Sequence, residues 1–196
     1  ATFQTGTQKY LLHCTHNNDT LKVWDGAAAS MTILAADGAP APKYIISWNN
    51  HLFAAGILGH ESRIQWSNLA TYDDWQTNGV DNYDDNCQTG DGDYITGLGT
   101  LRGNLYVFKR YSIFQVTYLG GSPLIQVRKV VDNIGTISNK TICSAKITQV
   151  ALDGTVSKYE ILLFLTPDRK IVAFDGQYTY TLTDGMYESN DYANIY

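Results

Sequence analysis

Residues 97–120 read GLGTLRGNLYVFKRYSIFQVTYLG: three apolar runs separated by two short polar breaks. The middle run, Leu105-Tyr106-Val107-Phe108, is bounded by Arg102-Gly103-Asn104 and by Lys109-Arg110-Tyr111, and the third alternates through Ile113, Gln115 and Val116. Alternation of this kind puts one set of side chains on each face of a pleated strand, and the glycine-bearing breaks are hairpin turns. The same figure returns in 158–182, KYEILLFLTPDRKIVAFDGQYTYTL, and is visible earlier in 9–26, KYLLHCTHNNDTLKVWDG, and in 48–68, WNNHLFAAGILGHESRIQWSN. The strongest apolar runs begin at Leu11, Leu52, Leu105 and Ile161, so the unit recurs at intervals of 41, 53 and 56 residues. A strand-rich unit repeating on roughly the 40–50-residue scale of a propeller blade is a repeat architecture.

Composition agrees. Aromatic residues make up 12% of the 196-residue chain, there are 17 Gly, and only 17% of residues are charged. Rings and β-branched side chains fill a pleated surface well, and no Ala/Glu/Lys/Leu-rich run favours a helix. The expected fold is therefore all-β: a single β-propeller-like domain over 1–196, with about four blade units near 8–38, 43–93, 94–132 and 141–186. One blade cannot bury both of its apolar faces, so the four units are expected to belong to a larger ring or to be completed by other chains. The chain opens at Ala1 without Met, as a trimmed product or a portion of something longer would. No apolar run reaches the ~18 residues of a membrane span, so membrane insertion is not expected.

Charge is unevenly placed. The net charge of −5 resides in 71–93, which holds seven Asp and no Lys or Arg, leaving the remainder nearly neutral. Nucleic-acid binding by the fold as a whole is disfavoured, because phosphate recognition needs a concentrated basic surface. Cys14, Cys87 and Cys143 are odd in number, widely spaced and without a C-x-x-C, so free thiols are expected in place of disulfides or zinc.

Four segments, in order, carry a family likeness: 47–75 (SWNNHLFAAGILGHESRIQWSNLATYDDW), 90–116 (GDGDYITGLGTLRGNLYVFKRYSIFQV), 127–142 (VRKVVDNIGTISNKTI) and 162–177 (LLFLTPDRKIVAFDGQ). Together the series resembles the β-propeller proteins of tailed-bacteriophage tails, including the nozzle-type proteins of short-tailed phages. His60-Glu61-Ser62 stands where that pattern has a proline, and Asp168-Arg169 where it has a glycine. The resemblance implies a non-enzymatic virion component, assembled in the host cytoplasm. It implies a ring of copies in the tail that contacts other tail proteins, docks fibres or shapes the channel through which genomic DNA passes.

Residues that could do chemistry are few. Asp81, Asp84, Asp85, Asp91 and Asp93 offer the hard oxygens Ca2+ prefers, although their spacing is not that of an EF-hand. The plainer reading of this segment is a solvated or subunit-contacting loop, which would repel phosphate if it faced DNA. Trp48, Trp66 and Trp75 could stack on sugar rings or fill the space between blades. His13 and His16 sit three apart at a strand end and so point to opposite faces, which does not make a metal pair. Gly97-Leu98-Gly99 lies in a strand with no helix after it, so it is not a nucleotide loop. No nucleophile elbow occurs, and no catalytic residue is assigned. Two other classes stay open on sequence. A carbohydrate-binding propeller predicts outward Trp or Tyr in a shallow pocket, and a propeller glycoside hydrolase predicts two carboxylates facing across a cleft.

Overall fold

The computed structural model describes residues 1–14, 20–34, 38–90, 92–150 and 156–183. Every regular element among them is a β-strand except one 3-10 turn at Asn139–Thr141. The strands form four antiparallel sheets of four strands each, met in chain order.

Sheet 1 holds β1 (Thr2–Thr5), β2 (Gln8–His13), β3 (Lys22–Trp24) and β4 (Thr32–Ile33). Sheet 2 begins with β5 (Pro42–Trp48), β6 (His51–Ile57) and β7 (His60–Trp66). The chain then makes a small separate hairpin, β8 (Gln76–Thr77) and β9 (Val80–Asp81), before β10 (Tyr83–Asp84) returns to pair with β7 as the fourth strand. Sheet 3 is β11 (Ile95–Leu101), β12 (Asn104–Lys109), β13 (Ser112–Tyr118) and β14 (Ile125–Asp132). Sheet 4 is β15 (Cys143–Val150), β16 (Val156–Leu165), β17 (Ile171–Phe174) and β18 (Thr179–Thr181).

Within each sheet the order is an up-and-down meander, since each strand pairs with the next one of its own unit. The tight turns explain the registers. Asn49-Asn50 joins β5 to β6 with φ of 47° and 58°, and Arg102-Gly103 joins β11 to β12 with φ of 50° and 80°. Two consecutive positive-φ residues make the two-residue hairpin whose twist matches that of the strands it connects.

Three apolar clusters hold the sheets together, each spanning a consecutive pair. Phe3, Leu12 and Leu21 of the first unit meet Leu52, Ala54 and Ile57 of the second. Phe53, Ala55 and Ile64 meet Ile95, Leu105, Val107 and Phe114 of the third. Leu101, Tyr106, Phe108 and Ile113 meet Leu162, Phe164, Val172 and Phe174 of the fourth. Sheet 3 is therefore buried on both faces, and β6 is buried along its whole length. No cluster among the described residues joins sheet 4 back to sheet 1.

Close approach of sheets 3 and 4 accounts for the two glycines of β11. A Cβ on Gly97 would lie 2.6 Å from Ile142 Cδ1 and 2.8 Å from Asn139 Oδ1, and one on Gly99 would lie 3.1 Å from Leu162 Cδ1. Here glycine is a packing requirement.

Four strands escape a reading of the sequence. β1 has a single apolar residue, Phe3, and so no alternation to betray it; the first sheet starts at Thr2 where the expected unit starts at residue 8. β8, β9 and β10 lie inside the acidic segment expected to be a solvated or subunit-contacting loop.

Candidate functional site

The acidic segment is tied down along its length. Trp75 is wholly buried in the cluster between sheets 1 and 2, its Nε1 donating to the Tyr72 carbonyl at 3.0 Å. Tyr72 packs on Tyr10 of β2 with ring centroids 4.3 Å apart. Cys87 is buried in the cluster between sheets 2 and 3, and burial pushes its thiol up to about 12. Lys109, at the end of β12 and 0% exposed, donates from Nζ to the Cys87 carbonyl and the Thr89 hydroxyl, each at 2.9 Å. A buried ammonium is tolerable because oxygens surround it. The segment is thus anchored on sheets 1 to 3 by Trp75 and Cys87, while its other described residues are exposed or half-buried.

Its aspartates are used locally. Asp81 accepts from Gln76 Nε2 at 2.8 Å, and Asp84 accepts the backbone N–H and the side-chain amide of Asn86 at 2.7 and 2.9 Å. Asp85 takes a two-pronged contact from Arg63 of β7, at 2.8 Å from Nε and 2.7 Å from Nη2. The same guanidinium lies 3.8 Å over the Tyr83 ring. Hydrogen bonding from Arg63 holds the Asp85 carboxyl below its ordinary value. Asp93 accepts the backbone N–H groups of Tyr94, Arg110 and Tyr111 at 2.9, 3.0 and 3.1 Å, bracing the β12–β13 turn. Asp91 lies outside the described residues. Four of the five aspartates expected to offer calcium ligands therefore serve separate hydrogen-bonding partners and do not converge on one point. Among the described residues no three His, Cys, Asp or Glu side chains form a metal-holding group.

Between the β6–β7 turn, β7 and this segment runs a polar cleft of about 460 Å3, lined by residues including His60, Glu61, Arg63, Asp85, Gln88 and Tyr94. Its two strongest opposite charges, Arg63 and Asp85, neutralise each other. The direction of the Asp85 shift is the reverse of what a general acid needs.

A second cleft, of about 750 Å3, crosses three sheets where Ser47–Asn49 of sheet 2, Thr100–Gly103 of sheet 3 and Ser144–Lys146 of sheet 4 approach one another. Trp48 closes one side, its Nε1 donating to the Gly103 carbonyl at 2.8 Å. Arg102 Nη2 reaches the Glu160 carbonyl at 3.2 Å, and Lys146 pairs with Glu160 at 3.4 Å on the open surface.

Of the two readings open for the tryptophans, sugar stacking or filling the space between blades, their burial favours packing. Trp75 is 0% and Trp48 7% exposed, so neither offers a full ring face to a ligand. Trp66 is half-buried against Phe53, with centroids 6.0 Å apart. His16, and with it the His13–His16 pair, falls outside the described residues. Sequence reasoning missed Lys109 and Arg63. The signals were a lysine closing the apolar run of β12, and Trp75 and Cys87 as the apolar residues of a polar segment, which are natural anchors.

No family model matches the chain, and no curated protein matches it. Among the described residues no helix is long and apolar enough to cross a membrane.

Proposed function

We propose that this chain is a structural component of a bacteriophage tail, a β-propeller of nozzle or adaptor type whose four sheets are consecutive blades of a ring. One observation carries the reading: four four-stranded antiparallel meanders follow one another along the chain, each packed on the next through a shared apolar cluster. Meander sheets stacked face to face are what a propeller requires, and successive blades meet without helical connectors. The ordered series of phage-tail-like segments falls on these same elements. The clefts support the reading in a second way, since Arg63 is paired with Asp85 in one and Lys146 with Glu160 in the other.

In this role the protein works by shape and by contact with copies of itself and with other tail proteins. The acidic segment presents a surface that does not hold passing DNA. The chain assembles in the host cytoplasm and resides in the virion, with no cofactor and no catalytic step.

The test is location. Antibody raised against the chain should decorate the tail of purified particles at one axial level, and an electron cryomicroscopy map should hold it in a symmetric ring. Absence of the chain from purified particles, or turnover of a glycan substrate that is lost on Asp85→Asn, would overturn the assignment.

A further inference from the structure

The two ends of the sheet stack are not covered alike. In sheet 4 the face turned away from sheet 3 is set by the register Cys143 with Leu163 and Ala173, Ile147 with Tyr159, and Leu165 with Ile171. Tyr180 lies across from Ala173, and the backbone of Leu182 bonds to that of Ile171. On that face Ile147, Tyr159, Ile171, Tyr180 and Leu182 are 40–53% exposed, and Asp175 just beyond β17 accepts from the Tyr180 hydroxyl at 3.2 Å. On sheet 1 the face turned away from sheet 2 carries Leu11, Trp24 and Ile33, exposed by 43%, 37% and 63%. Lys9, His13 and Lys22 share that face by register.

We propose, on the propeller reading above, that a second copy of this chain covers both faces. Sheet 4 of each copy packs on sheet 1 of the other, and the pair closes as an eight-bladed ring with twofold symmetry. Area favours this closure. The exposed fractions and full side-chain areas give about 450 Å2 of apolar surface on sheet 4 and about 280 Å2 on sheet 1. A face-to-face pairing of two sheet 4 surfaces would bury about 900 Å2 of apolar surface and leave both sheet 1 faces uncovered. Head-to-tail closure makes two seams and buries about 1,450 Å2 of apolar surface, covering every end face.

Geometry points the same way. Across the first two seams the first strands of consecutive sheets lie side by side, β1 by β5 and β5 by β11, and at the third β11 lies by β16. A head-to-tail seam continues that order by setting β15 beside the partner copy's first strand, whereas a face-to-face pair reverses it. Lys9 and Lys22 can lay their methylene stems along the seam with their ammonium groups at its rim. Eight blades is within the range propellers adopt.

The test is solution mass by light scattering on the purified chain at tens of micromolar. The expected result is twice the 21.8 kDa chain mass. Ile171→Glu on sheet 4 and Ile33→Glu on sheet 1 should each give monomer. Leu182→Asp and Leu11→Asp are the substitute pair if either first variant loses the strand signal in circular dichroism. Cys143, an exposed thiol on the sheet 4 face, adds a readout across the ring. In the paired protein it should react with maleimide roughly tenfold more slowly than in the Ile33→Glu variant, although Ile33 lies at the opposite end of the stack. A monomeric unmodified chain overturns the proposal, as does a mass of three or more copies. A dimer that survives Ile33→Glu is joined face to face and also overturns it. None of these results touches the tail assignment, which the particle labelling decides separately.

Discussion

Phe108 of sheet 3 and Phe164 of sheet 4 meet edge to face, with centroids 5.2 Å apart and planes inclined at 65°. Both are buried to 2% exposure or less. If consecutive sheets are held by such contacts, the two rings must be energetically coupled. Alanine at either site would cost about 3–5 kcal/mol. The double alanine variant would then approach the whole stability of an ordinary domain, roughly 5–15 kcal/mol, so leucine is the better probe. Each Phe→Leu change keeps most of the volume and should cost up to about 1.5 kcal/mol. The edge-to-face contact itself adds about 0.5–1.5 kcal/mol beyond buried area, and the first substitution already forfeits it. The double variant should therefore be less destabilised than the sum of the singles by about that amount, read from urea unfolding midpoints at constant slope. Phe53→Leu with Phe164→Leu is the control, because these residues belong to different clusters and should be additive to within about 0.5 kcal/mol. Additivity of the Phe108–Phe164 pair to the same precision would refute packing of sheet 3 on sheet 4 through these rings.

Three further outcomes follow from particular contacts. A Cβ at Gly135 would lie 2.1 Å from the Lys109 carbonyl oxygen, so Gly135→Ala must displace backbone. It should cost at least about 1–3 kcal/mol, visible as a thermal midpoint lowered by roughly 2–4 °C per kcal/mol. Because Arg63 depresses the folded-state pKa of Asp85, their pairing contributes above the unfolded carboxyl value near ~3.9 and is lost as pH falls through the lower folded value. The pair is partly exposed, so Asp85→Asn should cost no more than about 1 kcal/mol at pH 7, and the difference from wild type should shrink below pH ~4 in acid titrations of stability. Thiol titration of the unpaired Ile33→Glu variant should find Cys143 reactive at once and Cys14 slow, since burial raises its pKa. Cys87, with its thiol at about 12, should be silent until the protein is unfolded.

The strand content of this chain is written in its alternation wherever a strand has one face to bury and one to show. SIFQVTY reads as a strand from its pattern alone, and β13 occupies Ser112–Tyr118. ILLFL lacks alternation because Leu162 and Phe164 fill the cluster against sheet 3 while Ile161, on the other face, is also buried. The acidic segment is where reading from sequence fails, and for a physical reason. Hydrophobic patterning reports the faces of regular elements, whereas this segment is held by single anchors, Trp75 and Cys87, and by side chains that reach it from other strands. Neither Arg63 to Asp85 nor Lys109 to Thr89 has a local signature, since the partners are 22 and 20 residues apart in sequence.

The anchors also show how the same residues come to suggest a cation loop. A run such as Asp81-Asn82-Tyr83-Asp84-Asp85-Asn86 is rich in oxygen acceptors because it must satisfy backbone and amide donors while crossing sheet edges. Asp84 and Asp93 each accept from donors within the turns they brace, and Asn82 donates to Asn68 Oδ1 at 2.8 Å. Calcium would need several of these oxygens turned toward one point, at the cost of the donors they now satisfy. Among those donors Arg63 belongs to sheet 2 and the Arg110 and Tyr111 backbone to the β12–β13 turn of sheet 3, so releasing them would loosen the segment's hold on both sheets. The segment's acidity is therefore accounted for by the local donors its carboxylates satisfy and by the contacts it makes with sheets 2 and 3.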